Sequence, residues 1–166
     1  MPVYVVDANF LIEAHRVYYP MDVVPGFWNK ISALAKEDKI ISIDKVGDEI
    51  YNNKDLLAHW CENNLPGNFF RDTSGVMNEY AQVFRWANFK KDYVVQKAIE
   101  DFCHADRADA FLVAYCLAEK ENRVLVTQEV SRPESKVSIK VPDACIAFGV
   151  NYVNTLQMFR NLKETF

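Results

Sequence analysis

The chain has 166 residues, is 50% hydrophobic and 13% aromatic, and holds only 5 Gly and 6 Pro, which excludes a disordered or low-complexity protein and predicts a single domain over residues 1–166. Its 19 Lys and Arg against 23 Asp and Glu leave a net charge of −4. A protein that coats nucleic acid through a basic surface is therefore excluded, and any nucleic-acid contact needs another positive charge, such as a bound divalent cation.

The chain opens Met1-Pro2-Val3-Tyr4-Val5-Val6-Asp7, with no basic stretch and no small-residue cleavage site of a secretory leader, so a cytoplasmic protein is expected. Residues 3–6 are apolar without alternation and predict a strand buried on both faces. Residues 9–16 read as a helix. Breaks at Tyr18-Tyr19-Pro20 and Val24-Pro25-Gly26 precede a helix over 27–36, with Phe27, Ile31, Leu34 and Ala35 on one face. Residues 39–43 form a second strand. Asp44 is expected to cap a helix carrying Val46, Glu49 and Ile50. A helix over 54–62 stops before Leu65-Pro66-Gly67, and 68–74 read as a loop.

Aromatic-rich helices are expected over 78–89 and 93–103, a long apolar helix over 106–121, and a third strand over 123–127. The longest uninterrupted apolar run, residues 110–118, is shorter than the roughly 18 residues of a membrane span. Residues 131–136 are a polar, mobile-looking loop, and 137–141 a short extended piece. Pro142-Asp143 opens a helix ending near Gly149, with Asp143 as its cap. A strand over 152–154 and a helix over 155–163, docked by Leu156, Phe159 and Leu162, complete the chain. Strands alternating with helices predict an α/β fold with a mostly parallel sheet. The helices within 76–103 have no strand beside them and read as an elaboration on one sheet edge. Their excess of aromatics predicts a contact surface, for a second copy or for another protein. Cys61, Cys103, Cys116 and Cys145 contain no Cys-x-x-Cys pair, so reduced thiols are expected rather than a zinc site, despite His59 and His104.

In an open parallel sheet, ligands bind beyond the carboxyl ends of the strands. Asp7 directly follows one strand and Glu129 closely follows another. Glu49 shares a helical stripe with Val46 and Ile50, and Asp109 shares one with Leu112, Val113 and Cys116. The bland alternatives are a helix cap for Asp7, and a capping box of Asp106 with Asp109. Two carboxylates about 4 Å apart repel by roughly 4 kcal/mol at an effective dielectric near 20. No matching set of basic residues stands beside the four acids. Mg²⁺ or Mn²⁺ is the simplest counter-charge, since hard cations prefer carboxylate and water oxygens. Such ions activate water and stabilise pentavalent phosphorus in phosphodiester hydrolysis.

Four segments, in order, resemble the PIN-domain nucleases. They are Val5-Val6-Asp7-Ala8-Asn9-Phe10-Leu11-Ile12, Val46-x-x-Glu49-Ile50, Ala108-Asp109-Ala110-Phe111-Leu112-Val113-Ala114 and Val124-Leu125-Val126-Thr127-Gln128-Glu129. Arg16-Val17-Tyr18-Tyr19-Pro20, Phe27-Trp28 and Val141-Pro142-Asp143-Ala144-Cys145 look like a bacterial PIN-like branch. The resemblance implies a three-layer α/β/α sandwich and a metal-dependent endoribonuclease acting on RNA. In many bacterial members it also implies the toxin of a toxin–antitoxin pair, with an antitoxin partner and homo-oligomers. By it, Asp7, Glu49, Asp109 and Glu129 hold the metal, with Asp7, Glu49 and Asp109 within reach of one cation. Asn9 and Thr127 orient the ligands or the attacking water. Glu129 departs from the family, where many members have Asp, and its extra methylene puts the fourth ligand in doubt.

Two rivals remain at this point. A phosphatase with Asp7 as nucleophile would want a second Asp where Asn9 stands. A PIN-fold scaffold that binds RNA or protein without metal would not need all four acids. Trp28, Trp60, Trp86, Phe84 and Phe89 are read as core or interface before base-stacking groups. Arg85, Lys90, Lys91 and Lys97 offer a basic rim but read first as a solvated face. Arg16 is open between a phosphate contact and a pair with Glu13.

Overall fold

The computed structural model describes residues 1–166. Five parallel strands form one sheet in the order β3-β2-β1-β4-β5: β1 (Val3–Val6), β2 (Ile40–Ile43), β3 (Phe70–Arg71), β4 (Arg123–Val126) and β5 (Tyr152–Val153). The chain leaves β1 in one direction to build β2 and β3, and in the other to build β4 and β5. The order therefore reverses between β1 and β4, where doubly wound sheets open a crevice. Val6 is in register with Val126, and the Asp7 N–H donates to the Val126 carbonyl at 3.1 Å. Residues just past those strands are thus forced side by side.

Nine α-helices cover the sheet. The first layer holds α1 (Ala8–Glu13), α2 (Pro25–Lys36), α4 (Leu56–Asn64) and α9 (Thr155–Leu162). Phe27 joins it together, 6.1 Å from Phe10 and 6.1 Å from Phe159 between ring centres, while Trp28 meets Trp60 edge-on at 4.9 Å. The other layer is built on α7 (Asp109–Ala118), with α5 (Met77–Asn88), α6 (Gln96–Cys103) and α8 (Val141–Phe148) around it. Seven consecutive residues of α7, Ala110 to Cys116, are buried, as an all-round apolar helix requires. α3 (Asp44–Asn52) follows β2 without a loop and packs on β3. A Cβ at Gly47 would lie 2.9 Å from the Phe70 ring, so glycine permits that close approach. Gly149 ends α8 at φ +68°, where glycine escapes the penalty of a side chain.

The structure is the expected α/β/α sandwich, with corrections at several elements. The sheet is wholly parallel. Residues 70–71, expected as loop, form β3, because Ser42 and Ile43 pair with Phe70 and Arg71. Residues 137–141 form no strand, having no partner strand to satisfy them. The 131–136 loop is tied down: Ser131 and the Arg132 N–H donate to Asp143 at 2.5 and 3.1 Å. Asp143 is spent on that loop and does not cap α8. Asp44 is the first residue of α3, not its cap, and accepts from Thr73 instead. The helices at 77–103 lie on α7 rather than beside an edge strand. Leu156 is exposed, and Met158 joins Phe159 and Leu162 in docking α9. Of the five aromatics weighed above, Trp28 is buried, Trp60 and Trp86 pack against the core, and Phe84 and Phe89 are exposed. Arg16 is exposed and makes no ion pair with Glu13. All four cysteines are buried and unpaired, and burial raises each thiol well above its ordinary range.

Candidate active site

Asp7 stands where β1 becomes α1. Its Oδ1 accepts the Phe10 N–H at 2.8 Å, so it does cap α1. Capping uses one oxygen and does not explain its burial, which leaves it 6% exposed. That burial pushes its pKa up to about 6. Hydrogen bonds from the Thr127 hydroxyl and the Phe10 amide draw it down, while Glu129 and Glu49 push it further up. Thr127 is buried directly after β4, and its Oγ1 also accepts the Glu129 N–H at 3.1 Å. Thr127 thus stands beside the Asp7 carboxyl and holds the turn that carries Glu129.

Asp109 is the first residue of α7. The cap position is Ala108, with no side-chain cap bond, so the Asp106–Asp109 capping box does not form. Burial raises Asp109 to about 7, followed by the charges of Glu129, Asp7 and Glu49; Arg107 pulls the other way, and no hydrogen bond relieves it. Glu49 is exposed rather than core-facing. It lies between buried Gly47 and buried Ile50, one position off the apolar stripe. Glu129 is half-buried, and its Oε2 accepts the Val141 N–H at 2.8 Å at the start of α8. Glu129 is thus partly engaged by a helix terminus, a favourable place for an anion.

Asp7, Asn9, Glu49, Asp109 and Glu129 line one cleft of about 140 Å³, completed by Ala8, Arg107 and Ala108. The structure brings all four predicted acids to one place, with Asn9 at the rim and Thr127 underneath. No three of their side chains stand close enough for an all-protein metal cage, which corrects the expectation of three carboxylates gathered around one cation. The donor set still suits Mg²⁺ or Mn²⁺: it is all oxygen, and these ions use one or two carboxylates and keep several waters. Arg107 also lines the cleft, and no sequence pattern marks it. It lies in a loop outside any helical or strand period, and its only signal was a place two residues before Asp109.

No curated protein sequence matches the chain. Among solved structures, the chain is similar to VapBC2 from Rickettsia felis, crystallised bound to a DNA fragment from their promoter. That match has a TM-score of 0.50 and 16% identity, and covers 92% of this chain and 98% of the other. At that identity the likeness speaks for the fold, a PIN-like sandwich with five parallel strands. A family model described as "Domain of unknown function (DUF4411)" matches residues 4–166, from the first strand to the last residue. The chain belongs to the DUF4411 family, and its fold and motifs are PIN-like.

Proposed function

We propose that this protein is an endoribonuclease that depends on Mg²⁺ or Mn²⁺ and hydrolyses RNA phosphodiesters. The observation that carries the reading is a cleft at the β1–β4 switch point lined by four carboxylates, two of them raised by burial and by each other, with no internal cation pairing them. Asp7 and Asp109, the two acids raised by burial, would hold the cation, with Glu49 and Glu129 reaching it through waters. When bound, it would supply Lewis-acid stabilisation at phosphorus and make water a stronger nucleophile. The Phe10 amide fixes the Asp7 carboxyl in advance. Asp7 and Asp109 give up their protons as the site loads, so affinity should rise through pH 6–7. Asn9 offers an amide at the rim to position the strand.

The VapBC2 likeness and the family resemblance support a further step, that the protein is the toxin of a toxin–antitoxin pair in the cytoplasm. Exposed Phe84 and Phe89 on the 77–103 face offer a surface for an antitoxin or a second copy. The Glu129–Val141 bond favours the second reading, a metal-free scaffold. Calorimetric titration with Mn²⁺, paired with cleavage of a mixed-sequence RNA, decides between them. Mn²⁺ heat and cleavage, both lost in Asp7→Asn, support the nuclease. No heat and no cleavage in the wild type would leave the scaffold. Trapping of a phosphoaspartate mimic on Asp7 would point to the phosphatase instead.

A further inference from the structure

The acid cleft is the middle of a longer trough. On one side, Glu49 and Arg107 also line a polar cleft of about 460 Å³, shared with Asn52 and Asn53. On the other, Asn9 and Glu129 also line one of about 240 Å³, shared with Tyr18 and Gln128. Seven carboxylates border the three stretches: Glu13, Glu129, Asp7, Asp109, Glu49, Asp48 and Asp106. Against them stands a single Lys or Arg, Arg107, and a single aromatic side chain, Tyr18. The basic residues Arg85, Lys90, Lys91 and Lys97 line none of the three.

Both side chains are exposed. Arg107 is exposed, and none of the ion pairs in the molecule includes it. Its backbone is held by an N–H bond to the His104 carbonyl at 2.9 Å. Tyr18 is 55% exposed and ends a π-helical turn, Ala14–Tyr18, that continues α1. Such wide turns recur where a helix is adapted to a site. A guanidinium carries five donors in a fork that matches phosphate. An open phenol ring accepts the face of any unpaired base.

Resting on the ribonuclease reading, we propose that Arg107 and Tyr18 are the positioning residues for the substrate strand. Arg107 grips a backbone phosphate beside the one over the acids, and Tyr18 stacks on an unpaired base at the other end. A trough of seven acids repels a polyanion, so the lone cation decides whether a strand settles there and in which direction it lies.

The test is fluorescence anisotropy of a labelled eight-nucleotide single-stranded RNA, with Ca²⁺ in place of Mn²⁺ so that the strand stays intact. Arg107→Gln should weaken binding about tenfold or more and lower the slope of log affinity against log salt by about one. Arg107→Lys should recover part of the loss. Tyr18→Ala should weaken binding about fivefold or more, and Tyr18→Phe, which keeps the ring, should restore most of it. Lys97→Gln removes the same charge outside the trough and should stay within about twofold, as surface charge at a distance is screened. Melting temperatures should be unmoved in both variants and Mn²⁺ heats in Tyr18→Ala, while Arg107→Gln should still bind Mn²⁺. Wild-type protein that fails to hold the strand, variants that bind as tightly as wild type, or an Arg107→Gln protein that loses Mn²⁺ would overturn the proposal. Strand binding that depends on both residues, without cleavage in Mn²⁺, would sustain the trough and sink the ribonuclease.

Discussion

The cleft past the ends of β1 and β4 and the cleft at their starts are built from the same residue types with opposite accounts of charge. At the starts, a cleft of about 270 Å³ contains Asp38 and Glu119. Asp38 is paired with Arg71 at 2.8 Å and Glu119 with Arg123 at 3.0 Å. Past the ends, Asp7, Glu49, Asp109 and Glu129 share about 140 Å³ without an ion pair among them. A chain that supplies arginines to exposed acids at one end has left buried Asp7 and its three neighbouring acids unbalanced at the other. Buried, unpaired carboxylates cost stability, and a bound cation is the counter-charge that would offset that cost.

The largest effect expected from this contrast is at Asp7. Asp7→Asn keeps the shape and still caps α1, since Asn caps as well as Asp. It should abolish Mn²⁺-dependent cleavage while leaving the metal-free protein as stable as wild type or more stable. Wild type should gain about 2.7 kcal/mol from Mn²⁺ at a hundredfold excess over its dissociation constant, and the variant much less. Melting curves with EDTA and with Mn²⁺ measure this, and equal Mn²⁺ responses would remove Asp7 from the site.

The pH dependence follows with a definite sign. Asp7 and Asp109 hold their protons to about pH 6 and about pH 7 when folded, against a starting value of 3.8. Between those values the folded chain binds more protons than the unfolded one, so stability falls as pH rises. The metal-free protein should lose on the order of 6 kcal/mol between pH 4 and 8 from the two groups together. Denaturant unfolding in EDTA checks it, and Asp7→Asn should flatten the slope. A wild-type profile that rises over this range would mean that the acids do not strain the fold.

At the paired end the expectation reverses. Arg123 donates to the Tyr115 carbonyl at 2.6 Å, lies 3.7 Å over the Tyr115 ring centre and is 16% exposed at its side chain. Arg123→Met should cost about 1–3 kcal/mol in urea unfolding and leave Mn²⁺ affinity unchanged. The smallest effect is expected at Glu129. Glu129→Gln keeps an acceptor for the Val141 N–H, so stability should stay within about 0.5 kcal/mol. Its Mn²⁺ affinity should fall at most about tenfold, less than for the other three acids, because one oxygen already serves α8. Calorimetry on the four single variants gives that ranking.

Much of this was legible in the order of residues. Apolar runs without alternation located β1, β2 and β4, since a strand covered on both faces has no polar side to show. The same patterning placed Asp7 and Glu129 past strand ends, and the family motifs linked them to Glu49 and Asp109. What periodicity could not reach were features made by pairing across the chain. β3 is two residues long and exists only because Ser42 and Ile43 lie beside it. Asp44 and Asp143 look like caps locally, but Thr73, Ser131 and Arg132 claim them from a distance. Glu49 reads as core-facing beside Val46 and Ile50, yet α3 buries Gly47 and Ile50 against the fold and leaves Glu49 one position off that stripe. The sequence by itself determined the parallel α/β architecture and the acids at its switch point, because burial and strand order are written in local patterns. Only the tertiary structure decided that Asp7 and Asp109 are raised, that Glu129 is shared with α8, and that Arg107 and Tyr18 flank the cleft. Those properties depend on distances between segments that no local pattern records.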